Sequence, residues 1–301
     1  MFSVLTAAIR ATGQQGIIIN YHTLSDEDTR RNIDTLGHCF DFIGHDDLPR
    51  RMEHPSKKPF CLMTFDDGKK SNLGTADILE EKGVPAVFYI VTDAVDNPEP
   101  LWFDCYGALV KKLRGQQKPL PAALQPGILK QLPNAMREQR VHEACREHGV
   151  TIDRDDPGIA PMGWDDLQGL HKRGFCLGAH TLRHEILTTE QRQQALDNVS
   201  QSMAAIAQHT AAPCQSFAFP NGNYTAQLAK QALDCGARTV MTTEPTWVRP
   251  DMPLWRLPRI QLHAGFSCRK IQMKLLAAAC AALKNPDGTG RLYRRIRRMG
   301  G

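Results

Sequence analysis

Two adjacent carboxylates, Asp66 and Asp67, close the apolar run Pro59-Phe60-Cys61-Leu62-Met63 in the tetrad Thr64-Phe65-Asp66-Asp67, and Gly68 follows. A short apolar run ended by a turn signal reads as a buried strand. Paired acids at its end repel each other and lose solvation if buried, so they need a compensating partner. A divalent cation is the simplest one, with one carboxylate as ligand and the other beside it as a general base. A surface Asp-Gly turn accounts for the same residues equally well.

A second cluster, His180-Thr181-Leu182-Arg183-His184, follows the strand-like Phe175-Cys176-Leu177-Gly178-Ala179. The four-residue spacing predicts two imidazoles on one helical turn, facing the same way and able to bind one metal ion. Solvated or capping histidines remain an alternative of equal weight. In Phe217-Ala218-Phe219-Pro220-Asn221-Gly222, the residues Pro220 and Asn221 make a tight turn. Its backbone N–H groups could hold an oxyanion, or the turn could be an ordinary strand-to-loop connection. His263, after Arg259-Ile260-Gln261-Leu262, and His22, after Tyr21, gain weight only from their positions.

Those positions follow from the elements. Strands are expected at Gly16–Tyr21, Phe60–Phe65, Ala86–Val91, Phe175–Ala179, Ser216–Phe219, Thr239–Thr242 and Arg259–Leu262. Helical spacing recurs between them, at Leu73–Lys82, Asp165–Arg173, Glu190–His209 and Thr225–Cys235. Such alternation predicts a parallel sheet, either a barrel or a doubly wound sheet. Residues 98–161 break the rhythm and read as a helical insertion on one side, with helices at Cys105–Leu113 and Gly127–Gly149. Cys268–Leu283 reads as a further amphipathic helix. Every polar cluster falls at the C-terminal end of an expected strand, the face on which barrels of this kind assemble their sites. One carboxylate and two imidazoles for a metal, plus a spare carboxylate and a spare imidazole, suit metal-assisted hydrolysis.

Composition sets outer bounds. The chain has 301 residues, 42% hydrophobic and 23% charged, as in ordinary soluble globular proteins. No apolar run is long enough to span a bilayer. The apolar segment within Met1–Gly13 has no basic residue before it and reads as an N-terminal helix rather than a secretory signal. Nine scattered cysteines without a C-x-x-C pair, such as Cys61, Cys176 and Cys214 in apolar surroundings, read as free thiols of a reducing compartment. The expected location is the cytoplasm. Net charge is +5, and Arg291, Arg294, Arg295, Arg297 and Arg298 concentrate it at the C-terminus. A solvated tail is the favoured reading there, with peripheral contact to anionic lipid, and hence membrane association, as the alternative. Nothing else supports nucleic-acid binding.

Taken in order, these residues resemble the polysaccharide deacetylases, carbohydrate esterase family four or the NodB-homology group. Thr64-Phe65-Asp66-Asp67-Gly68 matches the family's first motif and His180-Thr181-x-x-His184 its second. Residues 217–222 resemble the third and Leu262-His263 the last, and Pro250-Asp251 through Trp255 resembles the fourth only loosely. Asn20-Tyr21-His22 and Trp164-Asp165-Asp166-Leu167 also resemble family segments, so the likeness covers roughly residues 15 to 265. It implies an α/β fold, a distorted (β/α) barrel over 1–265, followed at 266–301 by the amphipathic helix and arginine-rich tail. It implies hydrolysis of an N-acetyl, sometimes O-acetyl, group on a sugar or glycoconjugate. Asp67, His180 and His184 would bind a divalent ion, by preference Zn2+, with Co2+, Ni2+ or Mn2+ as substitutes. Asp66 would be the base, the metal and the Asn221 N–H would stabilise the oxyanion, and His263 would protonate the leaving amine.

The third motif departs from the family pattern R-x-P-Y, because Ala218 stands at the arginine position and Asn221 at the aromatic. Arg256 or Arg259 could approach Asp66 instead. The altered motif leaves two other readings open: an amidohydrolase of the same fold acting on a non-sugar amide, and a carbohydrate-binding pseudoenzyme. The second would be expected to lack a chemical residue, yet every such position is filled.

Overall fold

The computed structural model describes residues 15–54 and 56–284, so the expected N-terminal helix and the arginine tail lie outside the described residues. Eight parallel strands form one sheet: β1 (Gly16–Tyr21), β2 (Asp41–Phe42), β3 (Phe60–Phe65), β4 (Ala86–Ile90), β5 (Cys176–Ala179), β6 (Ser216–Ala218), β7 (Thr239–Met241) and β8 (Ile260–Gln261). Their order is β7-β6-β5-β4-β3-β1-β8, with β2 pairing β3 off this path. An isolated parallel bridge, Met241 to Leu257, joins β7 to the segment leading into β8. The sheet therefore curls toward closure, as a distorted (β/α) barrel.

Side chains alternate across the strands with the period of two that a pleated strand imposes. One set, including Ile17, Ile19, Cys61, Met63, Phe65, Phe88, Ile90 and Leu177, packs outward against the helices. The other, including Ile18, Phe60, Leu62, Val87, Tyr89, Ala218 and Met241, fills the inside of the curl. Burial on both faces explains why β1, β3 and β4 read as continuous apolar runs.

The longer helices are α1 (Asp26–Gly37), α2 (Asn72–Glu81), α3 (Trp102–Gly115), α4 (Asn134–Glu147), α5 (Trp164–Lys172), α6 (Arg192–Thr210), α7 (Ala226–Asp234) and α8 (Cys268–Lys284). Helix α1 is absent from the sequence expectations, because Ile33 and Leu36 are the only large apolar residues in its polar run. Its start is nonetheless capped, Ser25 Oγ accepting from the Asp28 N–H at 3.1 Å. The single helix expected over 127–149 is split into Pro126–Leu129 and α4, with Pro133 between them. Proline lacks the N–H that a continuous helix would need there.

Helices α3 and α4 lie in the long crossover from β4 to β5 and build a core of their own from Trp102, Leu109, Leu113, Leu129 and Val141. Helix α8 instead joins the main core through Ile271, Leu275 and Ala279. Among the described residues, no helix is long and apolar enough to cross a membrane. Most of the nine cysteines are buried, among them Cys61, Cys105, Cys145 and Cys214.

Candidate active site

Parallel pairing aligns the strand ends: Tyr21 stands opposite Phe65, Ile90 opposite Ala179, and Ala179 opposite Phe217. Residues one or two positions beyond those pairs meet on one rim. Of the six non-glycine residues described with positive φ, four lie in these loops: Asp67 (75°), Thr181 (67°), His184 (58°) and Asn221 (56°). Such conformations cost energy and persist where surrounding structure enforces them, commonly at functional sites. Gly68 continues the turn after Asp67 at φ 64°, and a Cβ there would stand 3.2 Å from Ile90 Cδ1.

The two imidazoles converge, but not on a helical turn. Residues 180–184 form a loop with left-handed residues at Thr181 and His184. The loop is pinned by its neighbours: Thr181 O accepts from Thr92 N at 3.1 Å, and Asn198 Oδ1 from Leu182 N at 3.1 Å. Within it, Thr181 Oγ1 accepts from Glu185 N at 3.2 Å. The spacing of four thus brings the rings together by a different local geometry from the one that spacing predicts.

His180 Nδ1–H donates to the Ala218 carbonyl at 2.7 Å, which turns the lone pair of Nε2 toward the acids. His180 Nε2 and His184 Nε2 stand 3.7 and 3.5 Å from Asp67 Oδ1. That oxygen is buried without a hydrogen-bond partner among the described residues. An orphaned carboxylate oxygen facing two imidazole nitrogens could hold a cation, and one ligand atom from each of Asp67, His180 and His184 lies within 4.8 Å of the others. Burial lowers the pKa of both histidines, that of His184 well below the usual value, outweighing the pull of Asp66 and Asp67 on His180. Both rings are therefore held neutral, the form that ligates.

Asp66 is placed differently. Arg259 Nη1 and Nη2 donate to its Oδ1 and Oδ2 at 2.6 and 2.9 Å, a buried bidentate pair. Nη1 also donates to Thr64 Oγ1 at 3.2 Å, and Nε to the Thr242 carbonyl at 3.1 Å. Burial pushes the Asp66 carboxyl up, but the charge of Arg259 and its hydrogen bonds outweigh it and hold it below the usual range. Asp66 Oδ2 lies 3.8 Å from His180 Nε2, beside the ligand cluster.

Of the remaining expected residues, His22, Pro220, Asn221 and His263 follow strand ends, whereas Arg256 does not take the place at Asp66 that Arg259 fills. His22 is half-buried, and its Nδ1 meets Gln261 Nε2 at 3.4 Å. His263 is exposed, with its ring 5.3 Å from that of Phe266, and partial burial together with Lys274, His22 and Lys270 lowers its pKa. Pro220 is buried and Asn221 exposed, and Asn221 Oδ1 accepts from Lys130 Nζ at 2.6 Å. Arg256 is engaged by Glu244 at 2.9 Å.

Three further residues at the site carry no sequence signal. The Phe103 ring packs edge-on against His184, centroids 4.7 Å apart. Buried Lys69 donates to Asp104 Oδ2 at 2.5 Å and to the Ile159 carbonyl at 2.8 Å, tying α3 to the loop after β3. Lys130 reaches the Asn221 turn from the same crossover. Sites on distant segments leave no local pattern; only the fold brings them together.

The sequence model described as polysaccharide deacetylase matches residues 53–240, more than half of the chain. Solved structures with the same fold include a Streptococcus pyogenes deacetylase, PplD, in complex with acetate (13% identity, TM-score 0.60, covering 86% of this chain and 97% of that one). IcaB from Ammonifex degensii is similar at 14% identity and TM-score 0.57, covering 87% and 97%. A de-N-acetylase from Aggregatibacter actinomycetemcomitans aligns at 13% identity and TM-score 0.57, covering 86% and 99%. At such identities the likeness is one of fold. No curated protein has a significantly similar sequence. Arg259 and His263 lie beyond the matched residues, flanking the strand that completes the curl.

Proposed function

Because this chain belongs to the polysaccharide deacetylase family, we propose that it is a metal-dependent hydrolase that removes an N-acetyl group from a sugar or glycoconjugate. The observation that carries the reading is the convergence of Asp67 Oδ1 with His180 Nε2 and His184 Nε2 beside an ionised, arginine-held Asp66. Asp67, His180 and His184 would hold the cation. Their oxygen and imidazole donors suit zinc, with cobalt, nickel or manganese as alternatives. When bound, such an ion supplies Lewis acidity, polarising the acyl oxygen and lowering the pKa of water toward ~7.

The chain's own residues divide the remaining work. Asp66 accepts a proton from the attacking water, and its bidentate bond to Arg259 keeps the carboxylate ionised and oriented. The backbone N–H of Asn221, in its left-handed turn, donates to the acyl oxygen as negative charge develops there. As the C–N bond breaks, acetate departs and His263 gives a proton to the amine. Burial and the nearby lysines make His263 a stronger acid than an ordinary histidine.

Acetate release from a panel of acetamido sugars, with metal-loaded protein, tests this reading. The expected result is acetate from one or more sugars, suppressed by chelation and restored by the metal. Turnover of non-sugar amides alone, or turnover indifferent to chelation, would contradict it.

A further inference from the structure

A polar chain runs through the inside of the curled sheet, behind the chemistry. The Tyr89 hydroxyl meets Ser216 Oγ at 2.7 Å, Ser216 Oγ meets Thr239 Oγ1 at 2.8 Å, and Thr239 Oγ1 meets His45 Nε2 at 2.9 Å. All four residues are buried, Tyr89, Ser216 and Thr239 at 0% exposure. Burying polar groups gains nothing over an apolar filling of the same shape, so such a chain points to a geometric task, fixing where the tyrosine ring lies.

The ring's surroundings identify that task. On one side it occupies space left by Gly178, where a Cβ would come within 2.4 Å of Tyr89 Cε1 and 3.0 Å of Ser216 O. Arg259 lies over the ring, with Cζ 5.2 Å from the centroid. The hydrogen bonds of Arg259 go to Thr242 O, Thr64 Oγ1 and both oxygens of Asp66. Guanidinium hydrogens lie in the plane of the group, so these bonds fix it within that plane and leave its faces free. An aromatic ring against one face supplies the missing restraint, with a cation–π attraction strengthened by burial.

We propose that Tyr89 is a positioning residue of the site: its ring, anchored through Ser216, Thr239 and His45 and accommodated by Gly178, holds the Arg259 guanidinium in line with the Asp66 carboxylate. The need arises because Arg259 reaches Asp66 from just before β8, past the intervening β1, while Ala218 on β6 offers no guanidinium. The catalytic part of this inference rests on Asp66 acting as the base; the restraint on Arg259 does not.

Arginine-labelled protein tests the restraint without any turnover. In the wild type, the Nη hydrogens of Arg259, assigned by their loss in Arg259→Lys, give separate NMR signals because rotation is blocked. Tyr89→Met keeps volume and apolarity without an aromatic face and collapses them into one averaged signal, whereas Tyr89→Phe, which keeps the face but loses the hydroxyl anchor, broadens them without collapse. Tyr89→Met also lowers kcat roughly 10- to 100-fold with little change in KM. In the Arg259→Lys background it changes kcat less than about twofold. If Tyr89→Met does not fold, Ser216→Ala replaces it; that variant releases the hydroxyl and broadens the same signals. Unchanged Arg259 signals in the folded variant, or an equal kcat loss in both backgrounds, would overturn the proposal. A wild type that releases no acetate would count against the deacetylase reading, while the NMR result would still decide this one.

Discussion

Asp66 and Asp67 are consecutive residues in opposite surroundings. Both oxygens of Asp66 are taken by Arg259, a cation built into the chain, whereas Asp67 Oδ1 has no hydrogen-bond partner among the described residues and faces two neutral imidazoles. Two buried carboxylates side by side would normally push one of the pair to protonate. Here the arginine neutralises one, which leaves the other free to ligate. Asp66 directly follows β3, its N–H bonded to the Tyr21 carbonyl, and Arg259 directly precedes β8, its guanidinium bonded to Thr242 O and Asp66. His184 sits in a left-handed loop, backed by Phe103 from the crossover. One half of the site is rigid by construction, and the other depends on loops.

That contrast can be broken from either side. The largest expected effect is on metal: His180→Ala should weaken binding by more than the ~10- to 100-fold typical of losing an outer-shell partner, measured by titration calorimetry. Next, Arg259→Met strands a buried carboxylate and should cost about 3 to 5 kcal/mol in denaturant unfolding. It should leave metal stoichiometry unchanged. A loss well under ~1 kcal/mol, the value of a solvated surface pair, would show that water reaches Asp66.

A smaller effect concerns pH. Burial holds His180 and His184 below the ordinary histidine value of 6.5, so protons displace the metal only as pH falls beneath that value. Metal content measured across a pH series should hold through 6.5, and a release midpoint at or above it would contradict the burial argument. The smallest effect belongs to the loop half. Phe103→Ala should cost on the order of 1 kcal/mol and shift metal affinity a few-fold. It should leave the Asp66–Arg259 pair untouched.

Much of this was legible in the sequence because strand ends advertise themselves: apolar runs stopping at Asp66-Asp67, at His180 and at Pro220-Asn221 are local signals. Arg259 was legible as one of two nearby arginines; only the register that sets Asn20 against Gln261 puts it across from Asp66. The histidine spacing predicts convergence, which the structure has, and a helical turn, which it lacks, since positive φ at Thr181 and His184 has no signature in residue type. Tyr89 and Gly178 read as ordinary members of apolar strands. Their meaning lies in the β4–β5 pairing that sets Tyr89 opposite Gly178, a relation between segments 89 residues apart. Phe103 and Lys130 belong to a crossover, and Lys69 meets it from the loop after β3; no local pattern foretells these contacts.

Asp66→Asn tests the division of labour between the paired acids most directly, with bound metal and acetate release measured on the same preparation. The account predicts wild-type metal content and turnover lowered by 10²- to 10⁴-fold, the range for loss of a general base. Loss of the metal together with the activity, as Asp67→Asn should show, would contradict it.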